Sequence, residues 1–123
     1  MILVDSSIWI DHLRSSDDLL IALLEAREVL VHPFVIGELA LGSLSQRTLV
    51  LDYLENLPAV NVATPSEIAA FIEGNALFGL GIGYVDVSLL ASVRLTPGST
   101  LLTRDKRLGK VAVQLGLVAK TLH

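Results

Sequence analysis

Four acidic residues stand where strand ends or apolar stretches make them conspicuous. Asp5 directly follows the apolar run Ile2-Leu3-Val4, and Asp105 lies just beyond Thr100-Leu101-Leu102-Thr103. Glu38 is embedded in Phe34-Val35-Ile36-Gly37-Glu38-Leu39-Ala40-Leu41, and Asp86 in Gly83-Tyr84-Val85-Asp86-Val87-Ser88-Leu89-Leu90. Taken singly, each has an ordinary use. Asp5, Asp86 and Asp105 suit helix caps or first turns, and a lone Glu38 suits a solvated face. Taken together they have one shared use. Clustered carboxylates repel, and some stay protonated unless a cation neutralises them. Oxygen-only ligands select hard ions such as Mg²⁺ or Mn²⁺. Cysteine is absent, and His12, His32 and His123 show no paired ligand spacing. They read as surface or loop residues, and zinc is disfavoured.

The elements that would carry these acids follow from the apolar pattern. Ile2-Leu3-Val4 reads as a buried strand, since both of its faces are apolar. Asp5-Ser6-Ser7 offers caps for a first helix through Ile8, Trp9, Ile10 and Leu13, and Asp17-Asp18 cap a second helix. Val29-Leu30-Val31 is a second strand, and Pro33 opens a third helix toward Gly42. Gln46 to Asn56 is a fourth helix and Ala59 to Ala63 a third strand. Thr64-Pro65-Ser66-Glu67 is a capping box that opens a helix to about Phe78. After the Gly79–Gly83 loop come a helix from Tyr84 to Leu95, a strand over Thr100–Thr103, a helix from Arg104 to Leu115 and a fifth strand over Leu117–Ala119. Short apolar strands alternating with amphipathic helices predict an α/β domain: a mainly parallel five-stranded sheet covered by helices on both faces. Ligands of such sheets gather beyond the carboxyl ends of the strands, where Asp5 and Asp105 fall.

Size and composition agree with one domain over residues 1–123, because single cores take about 100–150 residues. Apolar residues make up 52% and charged residues 18%, which excludes a disordered chain. The formal charge of −4 argues against a generic basic nucleic-acid clamp. The stretch from Ala76 to Leu95 holds Asp86 and Arg94 and is interrupted by three glycines, so no membrane span is expected. No basic leader precedes the first apolar residues, and a cytoplasmic location is the default expectation. A mean hydropathy of +0.64 points to apolar surface reserved for a partner. The helices containing Leu20, Leu24, Leu49, Tyr53 and Leu54 are its expected location.

Four stretches together resemble the acidic motifs of PIN domains, and most closely those of the VapC toxin ribonucleases of toxin–antitoxin pairs. They are Val4-Asp5-Ser6-Ser7-Ile8-Trp9-Ile10, the isolated Glu38, Gly83-Tyr84-Val85-Asp86 and Leu102-Thr103-Arg104-Asp105-Lys106-Arg107-Leu108. The resemblance implies that Asp5, Glu38, Asp86 and Asp105 bind the metal and carry catalysis. It further suggests that Thr103 and either Ser6 or Ser7 support them through hydroxyl hydrogen bonds. It implies endonucleolytic cleavage of RNA, leaving a 5′-phosphate and a 3′-hydroxyl. It also implies a homodimer and a cognate VapB-like antitoxin that blocks the acidic site.

The chemistry is consistent with that picture. One or two Mg²⁺ or Mn²⁺ ions can activate a water and neutralise developing charge, and no histidine lies in a motif to act as base. Two dications would also cancel the formal charge of −4. Arg104, Lys106, Arg107 and Lys110 surround Asp105 and could contact phosphates, or could simply form a solvated helix face. Trp9 and Tyr84 could stack on bases, although the apolar neighbours of Trp9 favour core packing. Two other classes remain open at this point: a phosphoaspartate-type phosphatase or phosphoacceptor domain with Asp5 as nucleophile, and a non-catalytic α/β binding module. Ser7 stands where an Asp-x-Asp phosphatase would place its second acid.

Overall fold

The computed structural model describes residues 1–119 of the 123. Its centre is strand β1 (Ile2–Val4), flanked by β2 (Val29–Leu30) and β3 (Thr100–Leu102), all parallel, in the order β2-β1-β3. All three β1 residues are buried although successive side chains point to opposite faces, so both faces of the sheet are covered. The register pairs Val4 with Leu102, and the ladder continues as the Asp5 N–H donates to the Leu102 carbonyl at 3.0 Å. That register sets the residues after β1 beside those after β3.

The five-stranded expectation needs correction. The described residues form a three-stranded sheet, and the two remaining segments are reduced to single parallel bridges, Val31 with Ala59 and Leu101 with Val118. Ala59–Ala63 turns away after Val60, and the Ala63 N–H donates to the Ser92 hydroxyl instead of a strand. Apolar content marked both segments as buried, but strand pairing needs a continuous neighbour, which composition does not report.

Seven helices surround the sheet among the described residues: α1 (Ser6–Ser15), α2 (Asp18–Glu25), α3 (Pro33–Ala40), α4 (Arg47–Glu55), α5 (Pro65–Asn75), α6 (Tyr84–Arg94) and α7 (Lys106–Gln114). Their starts follow the cap residues. Asp17 Oδ1 accepts the Leu20 N–H at 3.0 Å, and Thr64 and Glu67 form the reciprocal capping box that opens α5. That helix ends at Asn75, short of Phe78. α6 is the most enclosed helix, with every residue from Val87 to Val93 buried. Its Ser88 and Ser92 hydroxyls donate to the carbonyls of Tyr84 and Ser88, so they enter the core with their protons satisfied. α7 is strongly two-faced, with Leu108, Val111 and Ala112 inward and Lys106, Arg107 and Lys110 exposed.

His32 is not a surface residue. It is fully buried and caps α3, its Nδ1 accepting the Phe34 N–H at 2.9 Å. Burial pushes its pKa down to about 4, so the ring is neutral. His12 caps the α1–α2 turn by accepting the Asp17 N–H, and His123 lies outside the described residues.

Candidate active site

The site begins at the carboxyl end of β1. Asp5 is 4% exposed and caps α1, with Oδ1 accepting the Ser6 N–H at 2.7 Å. Its Oδ2 accepts two hydroxyl protons, from Thr103 at 2.7 Å and from Ser7 at 2.9 Å. Thr103 lies 98 residues away in sequence, and the parallel β1–β3 register brings it there. The same Thr103 oxygen accepts the Asp105 N–H at 3.0 Å. One hydroxyl therefore fixes both strand-end acids, Asp5 by its side chain and Asp105 by its backbone. Sequence left Ser6 and Ser7 as alternatives. The Ser7 hydroxyl makes the short contact, whereas that of Ser6 stands at 3.4 Å from Oδ1.

Asp105 precedes α7 as its cap, with Oδ1 accepting the Leu108 N–H at 2.9 Å. The helix expected from Arg104 starts at Lys106, because a residue whose side chain caps a helix must itself be extended. Asp86 occupies the first turn of α6 and is half-buried. Glu38 lies in the middle of α3 and is exposed, despite its apolar sequence neighbours. It borders a groove of about 400 Å³ that Ile10, Leu13, Arg14 and Leu39 also line.

The other three acids act on Asp86. The Asp86 carboxyl is pushed up to about 6, first by burial, then by the charges of Asp5 and Asp105. Glu38 adds a smaller push, and a backbone hydrogen bond from Gly83 opposes it. Among the described residues none of the four takes part in an ion pair. The donor set is therefore all oxygen, negative and without a counter-ion, which fits a hard dication. No three of these side chains, as they stand, already converge into a ready-made ion cage.

The basic residues divide. Arg104 is held by the carboxylates of Asp11 and Asp17, neither of which the sequence reading placed in the site. Arg107 donates to the Gly81 carbonyl at 3.2 Å. Gly81 has φ +76°, a left-handed conformation that favours glycine, so the loop before α6 docks on α7 without backbone strain. Lys106 and Lys110 are exposed. Trp9 is packed in the core, whereas Tyr84 is 55% exposed, two residues from Asp86.

Residues 2–114 match the PIN domain family. The chain belongs to that family. It is also 49% identical over 117 residues to Ribonuclease VapC32 of Mycobacterium tuberculosis, in strain CDC 1551 / Oshkosh and in strain H37Rv. The alignment covers 95% of this chain and 94% of the relative. The VapC-type resemblance read from the acidic motifs is borne out at that level of similarity. As a PIN-domain chain it has an α/β fold with a parallel sheet, and among the described residues no helix is long and apolar enough to cross a membrane.

Proposed function

We propose that this protein is a metal-dependent endoribonuclease toxin of the VapC type, restrained by a cognate VapB-like antitoxin and acting as a cytoplasmic homodimer. The observation that carries the reading is the mutual repulsion at Asp86. Asp5 and Asp105 at the strand ends, with Asp86 on α6 and Glu38 on α3, stand without an ion pair among the described residues of a PIN-domain chain, and their charges all raise the Asp86 carboxyl. Burial and these neighbours make the Asp86 charge costly, and a bound cation would offset that cost.

Asp5, Glu38, Asp86 and Asp105 hold Mg²⁺ or Mn²⁺ in this reading. When bound there, such an ion would supply charge neutralisation at a phosphate and a lowered pKa for water. The chain's own part is positioning. Both hydroxyl protons fall on Oδ2 of Asp5, and Oδ1 takes one short N–H bond, so Oδ1 keeps a lone pair for the ion. Thr103 keeps Asp105 in step with Asp5 through its shared oxygen. Exposed Glu38 would join the set from α3. Lys106 and Lys110 meet flanking phosphates, Arg107 steadies the loop before Asp86, and exposed Tyr84 offers a face to a base. A nucleophilic Asp5 is not favoured, because Ser7 stands where an Asp-x-Asp phosphatase places its second acid and the chain belongs to the PIN family.

The deciding experiment incubates the full chain with labelled single-stranded RNA, with Mg²⁺ or Mn²⁺ and with EDTA. Cleavage to 5′-phosphate ends with metal and none with EDTA is the expected result. Metal-independent cleavage, or a covalent aspartyl phosphate found by mass spectrometry, would overturn the reading.

A further inference from the structure

Arg104 was expected to face RNA phosphates, but its contacts give it another task. Its backbone N–H donates to the Ser7 hydroxyl at 3.1 Å, and that hydroxyl donates to Asp5 Oδ2. Its Nη1 donates to Asp11 Oδ2 at 2.7 Å, and its Nη2 donates to Asp17 Oδ2. Ser7 and Asp11 are one turn apart on α1, and Asp17 is the cap of α2. A single residue thus ties the β3–α7 turn, which presents Asp105, to both helices that follow Asp5.

We infer that Arg104 is a positioning residue whose guanidinium fork, gripped by Asp11 and Asp17, holds the β3–α7 turn so that Ser7 and Thr103 fix Asp5 beside Asp105. The fork geometry matters, because each terminal nitrogen serves a different carboxylate, and the single ammonium of a lysine has no such fixed fork. Arg104 also holds the Asp17 carboxyl below the usual carboxylate range, first through their hydrogen bond, so the acid stays charged for the grip. The pairs are partly exposed, with the Arg104 side chain at 38% and Asp11 at 51%. The exposed Asp11 pair adds little to stability, whereas the Asp17 side chain is only 12% exposed. The role lies in orientation, and its loss should register at the acids.

The inference rests on the acidic set being the metal and cleavage site, so its test reads metal binding separately from cleavage. Mn²⁺ alone is titrated into the full chain and free ion is followed by electron paramagnetic resonance. Steady-state cleavage of a random-sequence single-stranded RNA pool gives kcat and KM. Arg104→Ala should weaken Mn²⁺ binding and lower kcat by about 10-fold, the loss typical of removing a group that orients a metal ligand, with KM unchanged. Asp11→Asn combined with Asp17→Asn should reproduce this, since asparagine keeps the α2 cap but loses the charge. Arg104→Lys should recover only part of the loss. A raised KM in Arg104→Ala with kcat and Mn²⁺ affinity intact would overturn the inference and make Arg104 a phosphate contact. So would a double variant with wild-type Mn²⁺ affinity and kcat. A wild type that binds Mn²⁺ but cuts no RNA would sink the cleavage reading alone, while weaker Mn²⁺ binding in Arg104→Ala would still support the clip. A wild type that binds no Mn²⁺ would overturn both.

Discussion

The strand-end half of the site and its helix-borne half are built by different means. Asp5 and Asp105 sit in a web of short hydrogen bonds from Ser6, Ser7, Thr103 and Leu108. Glu38 makes no side-chain hydrogen bond among the described residues, and Asp86 sits under the repulsion of the other three acids. The strand half is held in place before any ion arrives. In the helix half, Glu38 is held only by its backbone, while Asp86 takes a hydrogen bond from the Gly83 backbone, and burial and its acidic neighbours make its charge costly. In the proposed reading, fixed donors on one side and adjustable ones on the other would let the site order itself on binding an ion while keeping one rigid reference.

The largest expected effect tests the rigid side. Asp5→Asn keeps the shape and an acceptor for the Ser6 N–H but removes the charge. Cleavage should fall by at least about 100-fold, the scale of losing several kcal/mol of charge stabilisation, with the fold retained in circular dichroism. Full Mg²⁺-dependent activity in that variant would remove Asp5 from the mechanism.

Thr103→Val comes next. It strips the proton from Asp5 Oδ2 and the acceptor from the Asp105 N–H. Asp5 Oδ2 then keeps only the Ser7 hydroxyl, so the cost should be about 1 kcal/mol, measurable by urea unfolding, and cleavage should fall by about 10-fold. Ser6→Ala should change both far less, because the Ser6 contact that matters is its backbone N–H. Equal losses in the two variants would break the distinction.

On the helix side, Asp86→Asn should raise the metal-free melting temperature by relieving repulsion, and should reduce the rise that Mg²⁺ gives the wild type. A lower metal-free melting temperature would assign Asp86 a capping role instead. The pH dependence sharpens this. Asp86 rises from 3.8 to about 6 on folding, so between those values the native state holds a proton that the unfolded state releases. Its contribution to stability is greatest in acid and is lost as pH rises through about 6. His32 falls from 6.5 to about 4, so the unfolded state takes up a proton that the native state refuses. Its contribution is full above 6.5 and is lost as pH falls toward 4. The two slopes oppose each other. Relative to wild type, Asp86→Asn should lose stability more steeply on acidification from pH 6 to 4, and His32→Asn should lose it less steeply. Parallel curves would show that neither group titrates as described.

The smallest effect concerns the exposed lysines. Lys106→Ala with Lys110→Ala should weaken RNA binding mildly. The slope of log affinity against log salt should become shallower by about 1 for each phosphate that the lysines had neutralised. An unchanged slope would make them a solvated helix face.

The four acids were legible because each interrupts or ends an apolar run, and apolar runs report burial whatever their partners. Caps were legible too: Asp5, Asp17 and Thr64 bond to amides within three residues, so the relevant geometry is local. The same locality explains the errors. His32 looked like a loop polar residue, because its burial is decided by what packs over β2 and α3. Leu20 and Leu54, expected at an interface, are fully buried, while Leu49 and Tyr53 from the same set are exposed. Helical spacing finds an apolar face but does not say what covers it.

The sequence by itself determined which residues carry charge, which runs are apolar and where helices begin, since these depend on side-chain type and neighbours a turn away. Only the tertiary structure decided that Thr103 reaches Asp5 across 98 residues, that Ser7 rather than Ser6 supplies the close hydroxyl, and that Arg104 grips Asp11 and Asp17. Those contacts depend on the parallel β1–β3 register and on how α1, α2 and α7 pack at the ends of those strands. Register and packing are set by the burial of many side chains at once, so no stretch of sequence contains them.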